Sequence, residues 1–356
     1  MNSKFWKDKR VLVTGHSGFK GSWLSMILHA MGAEILGISK ESLNNNSELF
    51  SALDIKNLVD SHDEDIRDSI KINKIIADFK PEIVFHLAAQ PLVRKSYLLP
   101  SDTYEINVMG TINILEAIRA NDSVRSSLMI TTDKCYDNKE WIWGYRENDA
   151  MGGYDPYSSS KGCAELVIQA YQKSYFNNSS MSALSSVRAG NVIGGGDLSQ
   201  DRLIPDIVRA IKDHSKVSIR NPLATRPWQH VFEPLSGYLM VAEDLFHNGH
   251  VNNSSWNFGP LITDIRSVDE VTKLFCQIWG ELDIIEYDKS AHAHEANLLS
   301  LDISKAYHEL KWRPRWSLNE SMPHIVNWYK EYIAKGDLLE LSKDQIKLFF
   351  LKNNFI

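Results

Sequence analysis

Residues 10–31 read RVLVTGHSGFKGSWLSMILHAM and contain the turn on which the fold depends. Arg10–Thr14 is a run of apolar and β-branched residues typical of a buried strand, and Gly21–Met31 has the spacing of an amphipathic helix. Between them, three glycines stand in a G-x-x-G-x-x-G pattern that begins at Gly15. Glycine permits a tight turn and a close approach to a pyrophosphate, and the helix N-terminus offers that anion free N–H groups. We therefore predict a dinucleotide-binding turn; the alternative is a tight strand-to-helix turn without a ligand.

The same alternation of strand and helix continues through the first 190 residues. Further strand-like runs are Glu34–Ile38, Glu82–Leu87 and Leu128–Thr132, and helical patterns cover Ser69–Phe79, Asp102–Asn121 and Pro156–Phe176. Nearly continuous apolar strands that alternate with helices indicate a parallel sheet covered on both faces. The predicted fold class is α/β, a doubly wound parallel sheet of the Rossmann type, with ligands bound at the carboxyl ends of its strands.

The pattern changes after about residue 190, where a glycine cluster and a Pro/Trp/Arg-rich loop interrupt the alternation. Residues 1–190 are predicted to form the dinucleotide-binding domain, with a returning segment at about 228–260. Residues 191–227 and 261–356 are predicted to form a smaller α/β C-terminal domain that binds the substrate.

The composition argues against several classes of protein. Of 356 residues, 39 are Lys or Arg and 45 are Asp or Glu, so the net charge is −6 and no nucleic-acid partner is expected. No apolar run reaches the roughly 18–20 residues of a membrane span, and no membrane association is expected. The three cysteines lack zinc spacing and fit a reducing compartment, so a cytoplasmic location and no bound metal are predicted. His292, His294 and Glu295 are interpreted as a loop near the substrate, because no HExxH motif follows His294.

The second strand ends at Ser39 and Lys40, where dinucleotide folds often carry an acid that holds the adenosine ribose. Lys40 could meet a 2′-phosphate, so NAD and NADP both stay open at this position; the alternative is a solvated lysine. Asp65 and Ile66 stand where a third strand would end. The carboxylate there could bond an adenine amino group, or it could belong to a surface loop.

Tyr157 and Lys161 are four residues apart at the start of a predicted helix, which puts both side chains on one face. A phenol has a pKa near 10, and a neighbouring ammonium together with a cationic nicotinamide is expected to lower that pKa by favouring the phenolate. Such a tyrosine can take a proton from a sugar hydroxyl while hydride leaves the carbon. The segment Thr131-Thr132-Asp133-Lys134 ends an earlier strand, and a hydroxyl there could bond the same oxygen. We therefore predict one site where the glycine turn, this strand end and the Tyr/Lys helix converge.

Nine motifs occur in order along the chain: GHSGFKG (15–21), DI (65–66), HLAAQ (86–90), NVMGT (107–111), TTDKCY (131–136), YSSSK (157–161), RAGNVIGGGD (188–197), RLIP (202–205) and TRPWQHV (225–231). With them the chain resembles the extended short-chain dehydrogenase/reductase family. Within that family it is most similar to the sugar-nucleotide 4,6-dehydratases, in particular those acting on CDP-D-glucose.

The resemblance implies a lyase that converts CDP-D-glucose to CDP-4-keto-6-deoxy-D-glucose, for the deoxysugars of lipopolysaccharide O-antigen. The implied cofactor is NAD, which takes the C4 hydride and returns it to C6. Tyr157 would remove the C4 hydroxyl proton, and Thr132 would steady the oxygen. Lys161 would hold Tyr157 and the nicotinamide ribose, and Asp133 would protonate the C6 hydroxyl so that water leaves.

Lys134 departs from the wider group of dehydratases, which carry Glu at this position as the implied C5 base. A protonated ammonium is not a base, so Lys134 would have to be made neutral by desolvation or by neighbouring cations. Alternatively, its charge stabilises the enolate, or it only pairs with Asp133 and shapes the site.

The resemblance also implies the ligand contacts. The cofactor contacts are Gly15, Ser17, Gly18, Phe19, Lys20, Gly21, Ser39, Lys40, Asp65, Ile66, Leu87, Ala88, Ala89, Thr131, Tyr157, Lys161 and Arg188. The substrate contacts are Gln90, Asn191, Arg202, Leu203, Arg220 and Arg226. Arginine suits a pyrophosphate because its planar fork offers paired donors. Helices at 102–121 and 156–176 pair across a two-fold axis in relatives, so self-association as a dimer or tetramer is expected.

Other functions remain open at this point. A sugar-nucleotide 4-epimerase uses the same Tyr/Lys pair, but it needs no acid at C6, so Asp133 and Lys134 favour dehydration. A dehydratase or epimerase acting on dTDP-glucose, GDP-mannose or a UDP-sugar is the closest alternative, although such dehydratases keep Glu where Lys134 stands. A sensor that holds NAD(P) without turnover tends to lose Tyr157 or Lys161, and both are present here.

Overall fold

The computed structural model describes residues 3–40, 47–178, 182–288 and 298–351. Its strands are β1 Arg10–Thr14, β2 Glu34–Ser39, β3 Asp60–Asp63, β4 Ile83–His86, β5 Ser126–Ile130, β6 Ala183–Ala189, β7 Val192–Ile193, β8 Val217–Ile219, β9 Thr225–Pro227, β10 Gln229–His230, β11 Ser255–Phe258, β12 Ile265–Ser267 and β13 Ile285–Tyr287. Its α-helices are α1 Phe19–Ala30, α2 Ser47–Ala52, α3 Ile55–Leu58, α4 Ser69–Phe79, α5 Val93–Leu98, α6 Pro100–Tyr104, α7 Gly110–Arg119, α8 Pro156–Ser174, α9 Leu203–Lys212, α10 Phe232–Asn248, α11 Val268–Trp279, α12 Ser304–Glu309, α13 Leu318–Ala334 and α14 Leu338–Ile346.

Seven strands form one sheet in the order β11-β6-β5-β4-β1-β2-β3, and neighbouring strands are parallel throughout. The order reverses at β1, where Leu12 pairs with Leu36 of β2 on one side and with Val84 of β4 on the other. Ligands of doubly wound folds bind beside this reversal, at the carboxyl ends of the strands. The fold class predicted from the sequence is confirmed.

Helices cover both faces of the sheet because successive strand residues point to opposite sides. Val11 and Val13 of β1 pack into a cluster that contains Trp23 of α1 and Leu239 of α10. The intervening Leu12 packs on the other face, in a cluster formed largely by α4, α7 and α8. Each of these fully buried aliphatic side chains stabilises the fold by about 1.5–3 kcal/mol, so the edge that carries the turn after β1 is held rigidly.

The second half of the chain builds a smaller layer beside the sheet and also returns to it. Strand β11, from the segment predicted to return, pairs with β6 at the sheet edge, and α10 packs against β5. Away from the sheet, α11 packs on α9 and α13, and capping boxes at Ser267 and Ser317 fix where α11 and α13 begin. The cleft between this layer and the sheet lies at the carboxyl ends of the strands.

Across the described ranges, no helix is both long enough and apolar enough to cross a membrane. Among the same residues, no three His, Cys, Asp or Glu side chains cluster as metal ligands would. His292, His294 and Glu295 lie outside the described residues.

Candidate active site

One large cavity, of about 860 Å³, opens at the carboxyl ends of the strands. Its walls come from the turn after β1, the ends of β2, β4, β5 and β6, the start of α8, and the segment from Asp197 to Trp228. The volume lies within the range of about 300–1,000 Å³ of ligand sites. The three sequence features expected to converge therefore share one cavity.

The glycine turn has the shape that a pyrophosphate needs. Gly15 has φ +75°, and a Cβ atom there would lie 2.7 Å from the backbone nitrogen of Ala88. A Cβ on Gly21 would overlap the carbonyl oxygen of Gly15. Helix α1 begins directly after Gly18, and no described side chain caps it. The backbone N–H groups of its first turn thus have no acceptor within the helix, and the turn fits a dinucleotide pyrophosphate.

His16, for which the sequence offered no role, fixes this turn to the second strand. Its ring nitrogens hydrogen-bond the hydroxyls of Ser61 at 2.7 Å and Ser39 at 3.0 Å, and the Ser17 N–H donates to the same Ser39 hydroxyl at 3.2 Å. Burial lowers the pKa of His16 to about 4, so the ring is neutral at pH 7. The Ser39 hydroxyl therefore fixes the glycine turn through these two hydrogen bonds, and Ser39 also lines the cavity.

The end of the cavity near β2 and β3 is lined by Lys40 and Asp65, the two residues expected near the adenosine. Asp65 accepts a hydrogen bond from the Arg67 guanidinium at 2.7 Å, and this bond lowers the pKa of the Asp65 carboxyl. Arg67 also donates to Asp102 at 2.7 Å, while Lys40 lies exposed at the end of β2. The acid at this end is thus already held by an arginine, a partner that the sequence analysis did not foresee.

Tyr157 is placed by the first turn of α8. The Asp155 carboxylate accepts from the Ser158 N–H at 2.9 Å and caps the helix, and the Tyr157 N–H donates to the Ser96 hydroxyl at 3.1 Å. One turn later, the Lys161 Nζ donates to the carbonyl oxygen of Ile130 at 3.4 Å. The Tyr/Lys pair is therefore fixed against the carboxyl end of β5.

Thr132 lines the same cavity as Tyr157 and Asp133. Its hydroxyl donates to Asp133 Oδ1 at 3.0 Å. Asp133 Oδ2 is buried and has no hydrogen-bond partner among the described residues. An unmet buried acceptor is costly, so this oxygen fits a position where a bound hydroxyl completes the site.

Burial is the main cause of the pKa shifts of Tyr157, Lys161 and Asp133. Burial raises the pKa of Tyr157 to about 12, although the Thr132 hydrogen bond and the Arg202 charge oppose it. Burial lowers the pKa of Lys161 to about 8 and raises the pKa of Asp133, against the attraction of Lys134. Desolvation thus governs the Tyr157 pKa in the protein's own environment, and the expected lowering of this pKa by Lys161 together with the nicotinamide stays a prediction about the cofactor complex. A raised pKa does suit Asp133 to carry a proton.

Arg188 does not line the cavity, which corrects its assignment as a cofactor contact. Its fully buried guanidinium pairs with Glu165 at 2.6 Å and donates to the Tyr136 hydroxyl at 2.7 Å. Glu165 also accepts from Ser186 at 2.8 Å and from the Thr131 hydroxyl. The ion pair with Glu165 holds Arg188 away from the cavity lining, where its role is structural.

All the other predicted contacts line the cavity. We call the part of the cavity that is lined by the predicted substrate contacts the substrate half; these contacts are Gln90, Asn191, Arg202, Leu203, Arg220 and Arg226. Lys134 also lines the cavity, beside Asp133. Arg202 pairs with Asp197 at 2.8 Å, and Lys20 is a further cation in the same wall. Burial lowers the pKa of Lys20 to about 8, with Arg202 as the next cause. The cations give this half of the cavity the character of an anion site.

The cavity residues that the sequence analysis missed include Arg94, Asp197 and Asp201. Asp201 pairs with Arg94 at 2.9 Å and with Arg220 at 3.6 Å, so it joins the two sides of the cavity mouth. Asp197 ends the RAGNVIGGGD motif and Arg94 closely follows the HLAAQ motif, so position after a strand end was the available signal.

Comparison with known proteins gives a consistent picture. The family model described as GDP-mannose 4,6 dehydratase matches residues 12–325. A curated CDP-glucose 4,6-dehydratase from Salmonella typhimurium is 51% identical over 350 residues, which cover 97% of this chain and 97% of that protein.

Two solved structures have the same fold. A dTDP-glucose 4,6-dehydratase from Streptomyces venezuelae, determined with NAD and TYD bound, superposes with a TM-score of 0.79 at 22% identity over 93% of this chain and 99% of its own. A UDP-glucose 4-epimerase from Thermotoga maritima, with UDP-glucose, also gives 0.79, at 21% identity over 91% of this chain and 99% of its own.

Proposed function

This chain belongs to the family described as GDP-mannose 4,6 dehydratase, and from that premise we propose that it converts CDP-D-glucose to CDP-4-keto-6-deoxy-D-glucose. The observation that carries the proposal is the gathering of Tyr157, Lys161, Thr132 and Asp133 at one wall of a cavity that begins at the glycine turn. The 51% identity to a CDP-glucose 4,6-dehydratase supports CDP-D-glucose over other nucleotide sugars.

The cofactor is NAD, held by the glycine turn and by the cavity end near Lys40 and Asp65. Bound NAD supplies a hydride acceptor and a positively charged ring. In the proposed division of labour, residues 1–190 and the segment 228–260 hold the cofactor, and residues 191–227 and 261–356 hold the sugar nucleotide. Arg202, Arg220 and Arg226 line the substrate half, which supports a diphosphate there.

Tyr157 takes the proton of the C4 hydroxyl as the C4 hydride leaves. Thr132 supports this step because its side chain lines the same cavity as Tyr157 and its hydroxyl can bond the same substrate oxygen. Lys161 contributes a cation one helical turn away, which favours the phenolate against the effect of burial. These residues produce a C4 ketone, which acidifies the neighbouring C5–H.

Asp133 then protonates the C6 hydroxyl, so that water leaves as the C5 proton is removed. Two observations support this role: the unpartnered Oδ2 at the cavity wall and the pKa of Asp133, which burial raises. Lys134 removes the C5 proton when neutral, or it stabilises the enolate when charged. The hydride lost from C4 is returned at C6, and the C5 proton is replaced.

We extend the proposal to the cellular setting. The product supplies deoxysugars for lipopolysaccharide O-antigen, in the cytoplasm, where the unpaired Cys135, Cys163 and Cys276 are stable. The chain forms a dimer or tetramer through the helices at 102–121 and 156–176, where Met109 is 50% exposed and Leu166 is 56% exposed. Apolar side chains as exposed as these favour burial against a second copy.

Incubation with CDP-glucose, dTDP-glucose, UDP-glucose and GDP-mannose, followed by alkaline ultraviolet detection of 4-keto-6-deoxy products, tests the function. We expect product from CDP-glucose at a rate well above the other three. Product chiefly from another nucleotide would overturn the choice of CDP. Recovery of a C4 epimer that keeps its C6 hydroxyl, with no ketone, would instead support the epimerase alternative.

A further inference from the structure

Three charged side chains at the cavity rim form two ion pairs that share one carboxylate. Asp201 Oδ1 lies 2.9 Å from a guanidinium nitrogen of Arg94 and 3.6 Å from one of Arg220. The Arg94 side chain is 51% exposed and that of Asp201 is 44% exposed, whereas Asp133 of the same cavity is 2% exposed. These ion pairs therefore lie where the cavity meets solvent, and the proposed catalytic residues lie deeper.

Arg94 belongs to the side of the cavity that is built on the sheet. It lies in α5, and the hydroxyl of Ser96 in the same helix accepts the Tyr157 N–H at 3.1 Å. This hydrogen bond ties α5 to the first turn of α8, which carries the Tyr/Lys pair. Arg94 is thus fixed to the same side as the proposed catalytic tyrosine.

Asp201 belongs to the opposite side, in the loop that leads into α9. The Arg209 guanidinium of α9 donates to the carbonyl oxygen of Ser199 at 3.1 Å. The Tyr329 hydroxyl of α13 donates to the carbonyl oxygen of Asp197 at 2.6 Å. The loop is therefore anchored to the smaller layer, and its Asp201 side chain reaches across the rim to α5.

The two ion pairs of Asp201 differ in length, and this difference suits a closure that must reopen. Because Arg220 is the more distant arginine, it can turn to a substrate diphosphate while Asp201 stays on Arg94. Breaking an ion pair as exposed as that with Arg94 changes an equilibrium by about two- to fivefold. The pair is thus strong enough to bias the rim toward closure and weak enough to let substrate and product exchange.

The proposed reaction gives such a closure a purpose. The hydride that leaves C4 of the sugar must be returned at C6 of the same molecule. A 4-keto sugar that leaves between these two steps strands the enzyme with a reduced cofactor, which accepts no hydride from the next substrate. Retention of the oxidised sugar therefore decides how many turnovers the enzyme completes.

We propose that the Arg94–Asp201 ion pair, which we call the clasp, closes the cavity over the sugar nucleotide and retains the oxidised intermediate until its hydride is returned. Arg94 and Asp201 are positioning residues, because they act on the lifetime of the bound complex and not on the reacting atoms. The clasp joins the sheet side of the cavity to the smaller layer at the rim. This inference rests on the proposed dehydratase function.

Arg94→Met tests the clasp, because it removes the charge and keeps most of the side-chain length. Radiolabelled CDP bound to the holoenzyme is chased with unlabelled CDP and followed by rapid filtration, and its release should be about two- to fivefold faster than in the wild type. During turnover of CDP-glucose, NADH absorbance per product formed should increase by a similar factor, because more cycles are interrupted. Wild-type release, or faster release without additional NADH, would overturn the clasp.

Arg146→Met is the matched control, because Arg146 forms an exposed long-range ion pair with Asp302 at 3.2 Å and neither residue lines the cavity. It should release CDP at the wild-type rate. Asp201→Asn also removes the clasp, so adding Arg94→Met to it should not change release further. An equal effect of Arg94→Met with and without Asp201→Asn would overturn the clasp, because Arg94 would then act on the nucleotide directly.

CDP release does not require turnover, so the clasp and the proposed function fail in different ways. A wild-type enzyme that binds CDP but forms no 4-keto-6-deoxy product from CDP-glucose would overturn the proposed function, and with it the retention of an intermediate. Normal dehydration by the wild type, together with wild-type CDP release by Arg94→Met, would overturn the clasp alone.

Discussion

Thr131 and Thr132 are neighbours in the chain, but their hydroxyls belong to two buried groups of opposite character. Thr131 donates to Glu165, whose carboxylate is also paired with Arg188 at 2.6 Å. Thr132 donates to Asp133, whose second oxygen has no partner among the described residues. In the first group the two charges meet each other, although Arg188 Nε has no hydrogen-bond partner among the described residues, so the group serves the fold. An acceptor left unmet at a cavity wall is instead available for chemistry.

We call the first the closed group and the second the open group. The closed group consists of Thr131, Glu165, Arg188 and Tyr136, and the open group consists of Thr132, Asp133 and Tyr157. The comparison predicts that variants in the open group lose activity and keep stability, and that variants in the closed group lose stability first.

The largest effect is expected in the open group. Tyr157→Phe should slow turnover of CDP-glucose by about 10²–10⁴-fold, the scale of lost acid–base catalysis, because the ring remains and only the proton-carrying oxygen is lost. Steady-state kinetics of the variant measure its activity, and a thermal melt of the same preparation measures its stability.

Tyr171→Phe is the control, because it makes the same change on α8, where the Tyr171 hydroxyl bonds Glu116 at 2.7 Å away from the cavity. It should keep wild-type turnover. A Tyr157→Phe enzyme with near-normal turnover would remove Tyr157 from the mechanism, and one that melts far below wild type would break the comparison.

The next effect is expected in the closed group. Arg188→Met leaves the Glu165 carboxylate buried without its cation, and should lower the free energy of unfolding by about 3–5 kcal/mol. Urea unfolding followed by circular dichroism measures the loss. Arg188→Met combined with Glu165→Gln removes both charges and should recover part of it. Unchanged stability with reduced cofactor affinity would instead return Arg188 to the cofactor site.

The sequence predicted most of the sheet because its strands are apolar and β-branched. It missed β6, whose sequence ALSSVRA contains buried serines and an arginine, and β11, whose sequence is SWNF; the burial of both strands depends on tertiary partners. Arg188 was misassigned for the same reason. Its motif identified an arginine near the site, but alternation along β6 points it away from the face of Val187 and Ala189.

The candidate site was predictable where a motif fixes residue type and backbone shape together. Gly15, Tyr157 and Lys161 are such positions, and all three line the cavity. Contacts set by distant residues were not predictable, such as the pairing of Arg67 with Asp102 or of Arg94 with Asp201. Nor was the burial that governs the Tyr157 pKa in the protein's own environment, because burial is a property of the folded chain.

A third buried carboxyl sharpens the comparison, with the smallest expected effect. Glu233 of α10 accepts the N–H groups of Arg315 at 3.0 Å and Trp316 at 2.8 Å, and burial raises its pKa from 4.5 to about 7. Below pH 4.5, the carboxyl is neutral in the folded and unfolded chains alike. Between pH 4.5 and 7 only the unfolded chain ionises, so rising pH should reduce stability by about 3 kcal/mol in total.

Glu233→Gln is neutral at all pH values, so this loss should disappear from its unfolding free energy, measured in urea between pH 5 and 8. The glutamine amide accepts fewer N–H groups than the carboxylate, so the variant is less stable by an amount that does not depend on pH. The slope of its unfolding free energy against pH therefore still reports on the ionisation of Glu233. Glu281→Gln, at an exposed carboxyl, should keep the wild-type slope. If Glu233→Gln keeps that slope too, the two N–H donors and the Arg315 charge hold the buried carboxylate ionised. Two hydrogen bonds and a nearby guanidinium would then suffice to close a group of this kind without a direct ion pair such as that of Arg188.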